Sequence, residues 1–127
     1  KVSRIYLDAP LLNFDGFGGD STKTPTAAAA LIGPWVESAP ADGNWSTDPR
    51  MPVNMAGAIA KEGIPVYLLY GGQDQTVSPA LNCERFIPVF KNADGDIRVE
   101  RRAMYGHHPH GFEHEDIFKI VNFFGEN

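Results

Sequence analysis

Two short stretches of this chain carry side chains able to do acid–base chemistry together. They are Gly72-Gln73-Asp74 and, further along, Gly106-His107-His108-Pro109-His110-Gly111-Phe112. Each follows a run of strand character, 66–70 before the carboxylate and 97–104 before the histidines. A carboxylate that accepts from an imidazole N–H fixes the ring's tautomer and stabilises its charged form. The other ring nitrogen is then free to take a proton from a hydroxyl. Asp followed by His on successive strand exits therefore supplies the two polar partners of a nucleophile–histidine–acid triad. The nucleophile is not visible. Ser3, Ser21, Ser38, Ser46 and Ser78 all lie outside any Gly-x-Ser-x-Gly setting.

His107, His108, His110 and His114 also invite a metal reading. His110 and His114 have ligand spacing only on a helix, and Gly111 between them argues against one. Zinc chemistry also wants a third ligand and a separate base. Neither a metal nor another cofactor is expected. Cys83 falls on an apolar helical stripe and reads as core rather than as a nucleophile.

For Asp74 and His107 to meet, their strands must lie in a parallel sheet, where ligands sit beyond the carboxyl ends. Consecutive apolar residues at 66–70 suit a strand covered on both faces. In 97–104, Arg98, Glu100 and Arg102 alternate with Val99, which suits a sheet edge. Asp48-Pro49 is expected to start a helix through Met55, Ala56, Ile59 and Ala60 that stops at Gly63. Ser78-Pro79 is expected to open the next helix, with Cys83, Phe86, Ile87 and Phe90 on one stripe and Pro88 kinking or ending it. A last helix from Glu115 to about Phe124 places Ile117, Ile120, Val121 and Phe124 on one stripe. The order is α/β, with parallel strands at about 4–8, 65–70 and 97–104.

Residues 11–50 are rich in Gly, Pro, Ser and Thr and read as a turn-rich insert, with a short helix at 26–35. Gly16-Phe17-Gly18 lacks the Lys-Ser/Thr of a phosphate loop. Trp35 and Trp45 read first as packing anchors and second as pocket lining.

The 127 residues are of single-domain length, and 43% hydrophobic content is globular. A net charge of −5 disfavours a nucleic-acid partner, which calls for a basic patch. No apolar run approaches the roughly 18 residues that span a bilayer, so no membrane partner is expected. A single cysteine excludes an internal disulfide and leaves the compartment open. Asn44-Trp45-Ser46 fits a glycosylation sequon, a triplet common by chance.

Gly71-Gly72-Gln73-Asp74-Gln75-Thr76-Val77-Ser78-Pro79 resembles the strand-then-acid loop of the α/β-hydrolases. Residues 97–107 resemble that family's last strand running into its histidine loop, although Met104 and Tyr105 replace the usual small residues. Lys1 to Pro10 resembles the strand after the nucleophile-bearing helix. The doubled histidine, with Asn82 after the acid, is similar to bacterial esterase-like members found near carbohydrate-degrading enzymes. The resemblance covers most of the chain, least well over 11–50.

The resemblance implies residues 1–127 as the C-terminal part of one hydrolase domain acting on a small ester, acetylated carbohydrate by analogy with that branch. It implies Asp74 as triad acid and His107 as general base. His110 is the rival base, because His110-Gly111-Phe112 also resembles an ending used in some branches. Serine and oxyanion donors would come from an N-terminal half outside this sequence, docked on the first strand, and the chain by itself would be inert. Phe17, Trp35 and Trp45 are the candidate substrate contacts. A non-catalytic binding module and a histidine-cluster metal protein are the competing readings.

Overall fold

The structure is a computed structural model that describes residues 2–17, 38, 40–108 and 117–126. Its framework is a parallel sheet of three strands: β1 (Ile5–Asp8), β2 (Val66–Gly71) and β3 (Ile97–Arg102), in the order β1-β2-β3. Between the strands run α1 (Pro52–Lys61) and α2 (Cys83–Asn92), and α3 (Ile117–Gly125) follows β3. This is the α/β architecture that the alternation of elements implies.

β2 is central because every residue of its apolar run is buried, as both faces of a covered parallel strand require. One face, through Val66, Leu68 and Tyr70, meets Val53, Ala56 and Ala60 of α1 and Cys83, Phe86 and Phe90 of α2. The other face carries Tyr67, against which Phe123 of α3 packs edge-on at 5.6 Å. The alternating charges of β3 lie on an edge strand, as their pattern demands.

Four local expectations need correction. α1 begins at Pro52 with Met51 at the cap, not at Asp48. The Asp48 carboxylate is taken instead by Arg50, whose backbone N–H reaches Oδ1 at 2.8 Å and whose guanidinium lies 2.6 Å from Oδ2, so the helix starts later. α2 begins at Cys83 rather than at Ser78-Pro79, and it continues past Pro88 to Asn92. Pro88 and Glu84 are both exposed, so the missing amide falls where solvent can satisfy the freed carbonyl. β3 stops at Arg102, two residues early. On α3, Ile117, Val121 and Phe124 of the expected stripe are 45%, 58% and 51% exposed, while Phe123 is the buried contact. The short helix expected at 26–35 lies outside the described residues.

Candidate active site

Beyond its last residue, Gly71, β2 runs directly alongside the exit of β3. Gly72 N–H donates to the Arg102 carbonyl at 2.8 Å, and Gln73 N–H donates to the Tyr105 carbonyl at 2.9 Å. A Cβ on Gly71 would overlap the carbonyl oxygens of Tyr105 and Gly106, so glycine there is what lets the two loops abut.

Asp74 sits in this junction with its side chain 3% exposed. Its Oδ1 accepts from the backbone N–H of Thr76 and of Val77, both at 2.8 Å. These bonds close a turn of the kind aspartate favours and turn Oδ2 away from the backbone. Oδ2 lies 2.8 Å from His107 Nδ1. With the carboxylate ionised, that contact requires the proton on Nδ1 and leaves Nε2 as the acceptor. The ring is 27% exposed, so one partner is buried and the other reaches the surface. Its neighbour His108 stands edge-on with a ring separation of 5.4 Å. The arrangement can hold an imidazole in the base-ready tautomer beside a fixed negative charge.

Around the acid, Phe17 forms an antiparallel bridge with Val77, which places this candidate contact beside the loop carrying Asp74. Trp45 is 3% exposed and packs edge-on against Phe14 at 4.9 Å, with the Arg50 guanidinium over its ring. It sits as a core anchor and presents little surface to a ligand. Trp35, His110 and His114 lie outside the described residues.

Cys83 is buried on the inner side of α2, and burial, followed by the Asp74 and Glu84 charges, pushes its thiol up to about 12. It stays protonated at neutral pH and is a poor nucleophile there. Among the described residues no group of three His, Cys, Asp or Glu side chains could hold a metal ion, and no helix is long and apolar enough to cross a membrane.

Two further residues shape the site: Asn82, which the sequence marks only as part of a resemblance, and Asn13, which it does not mark. Asn13 and Asn82, both fully buried, join the chain leaving β1 to the stretch after the acid loop. Asparagine in a turn-rich region ordinarily reads as a turn former, so spacing alone gives no sign of this link.

Comparison of the chain with protein-family models, with curated proteins and with solved structures finds no match in any of the three. What the structure defines is a parallel α/β sheet with an aspartate–histidine pair above its central and edge strands.

Proposed function

We propose that this chain supplies the acid and the general base of a serine hydrolase acting on carboxylic esters. The observation that carries the reading is the 2.8 Å contact between Asp74 Oδ2 and His107 Nδ1 at the carboxyl ends of neighbouring parallel strands. His107 deprotonates a serine supplied by polypeptide outside these residues, and Asp74 orients the ring and stabilises the imidazolium that forms. The serine oxygen attacks the ester carbonyl, and His107 passes the proton to the departing alcohol. The same ring then takes a proton from water, which attacks the acyl-enzyme, and returns it to the serine as the acid leaves. The resemblance to esterase-like hydrolases supports acetylated carbohydrate as the first ester class to assay.

The lack of a serine elbow in this sequence favours one second reading, a binding module that kept the fold without the nucleophile. Covalent labelling of the intact source protein with a fluorophosphonate separates the two, since only an enzyme with an activated serine reacts. In a protein that proves reactive, assayed without the label, Asp74→Asn keeps the acceptor for Thr76 and Val77 but turns an NH₂ group toward Nδ1, which favours the wrong tautomer. Turnover should fall about 10⁴-fold, and His107→Ala should match it. His110→Ala should cost far less. A collapse with His110→Ala and near-normal turnover in His107→Ala would move the base to His110.

A further inference from the structure

Asn82 stands at the N-cap of α2, where an asparagine side chain ordinarily bonds the first turn, yet it makes no cap bond. Fully buried, it turns Oδ1 to accept from the backbone N–H of both Leu12 and Asn13 at 2.7 Å, and Nδ2 donates to the Ser78 carbonyl at 3.0 Å. The neighbouring contacts run the same way. Asn13 Nδ2 donates to the Leu81 carbonyl at 3.2 Å and to Ser46 Oγ at 2.9 Å. Ser78 N–H donates to the Gly16 carbonyl at 2.8 Å, and Phe17 bridges Val77. Gly16 is held so close that a Cβ there would overlap the Asn82 amide. All of these contacts except the one to Ser46 involve residues 77–82, and Val77 N–H is one of the two amides that hold Asp74 Oδ1.

We propose that Asn82 is a positioning residue for the Asp74–His107 pair. It clamps the chain leaving β1 onto the loop leaving β2 and so fixes the amides that aim Asp74 Oδ2 at the imidazole. The effect on turnover rests on the hydrolase reading. The effect on the Asp74–His107 bond does not.

The bond can be followed directly in the protein as the low-field NMR resonance of the His107 Nδ1 proton, identified by its disappearance in Asp74→Asn. Asn82→Ala should remove or broaden this resonance. Asn82→Asp keeps the acceptor for Leu12 and Asn13 but sets an oxygen against the Ser78 carbonyl, so it should retain the resonance at a lower melting temperature. Ester turnover in Asn82→Ala should drop about 100-fold, the scale of a small misplacement of reacting groups. The same substitution should add almost nothing in an Asp74→Asn background, because the two act through one path. An unchanged resonance in Asn82→Ala, with only a lower melting temperature, overturns the proposal. If Asn82→Ala does not fold, Gly16→Ala presses on the same amide, and persistence of the resonance there overturns it equally. Should the intact protein show the resonance but hydrolyse no ester, the hydrolase reading fails while the resonance still decides the role of Asn82.

Discussion

The two oxygens of Asp74 have separate tasks. Oδ1 is occupied by two backbone N–H groups and Oδ2 by the imidazole, so the carboxylate cannot swing without giving up bonds worth about 2 kcal/mol each. Asp48 shows a comparable capture, by Arg50. The Arg50 side chain first, and then its backbone N–H, hold the Asp48 carboxyl down at about 2, against an ordinary value of 3.8. A lowered folded-state value contributes stability that is present above the unfolded value and lost as pH falls through the folded one. Between about pH 4 and pH 2, urea midpoints should therefore decline with a share owed to Asp48, and Asp48→Asn should flatten that part of the profile. If the slopes of the two proteins coincide, the ion pair contributes nothing to acid stability. The Asp74–His107 pair was legible in the sequence because residue type and strand-exit placement both point to it. The Asn82 clamp was not, because its partners are backbone amides far away in the chain, and an amide bond leaves no mark on side-chain spacing.

At the scale of elements, burial periodicity carried the reading and capping did not. The unbroken apolar run of β2 and the stripe of Cys83, Phe86 and Phe90 on α2 are where the pattern places them. The start of α1 was misjudged because Asp48 had a stronger local partner than the helix amides, and the face of α3 because amphipathic spacing does not say which neighbour covers it. The exits of β2 and β3 are joined through Gly71, where a side chain would collide with backbone oxygen atoms rather than with a flexible group. Gly71→Ala should cost about 3 kcal/mol, as forced overpacking does, measurable by urea denaturation. On the proposed hydrolase reading it should also lower ester turnover in the intact protein, since the collision lies next to His107. A variant of wild-type stability would mean that the loops can part without penalty.

At the scale of the described residues, the sheet ends at β1 and β3, and Phe123 of α3 packs on its second face against Tyr67. Ile117, Phe118, Val121 and Phe124 turn outward on α3, with Phe118 70% exposed. Apolar side chains gathered on one helix face in this way behave as an adhesive patch. The chain prepared by itself should bind a hydrophobic dye and self-associate in sedimentation, and Phe118→Ser with Val121→Ser should suppress both. Stability should change by only about 0.5 kcal/mol for each surface replacement. Equal dye binding by the variant would locate the adhesive surface elsewhere. The bonds from Gly72 to Arg102 and from Gln73 to Tyr105 carry a different lesson. They tie the loop carrying Asp74 to the loop carrying His107, so a shift in either strains the other. In the proposed hydrolase, the remaining variable is how this joined pair of loops is set against the attacking oxygen.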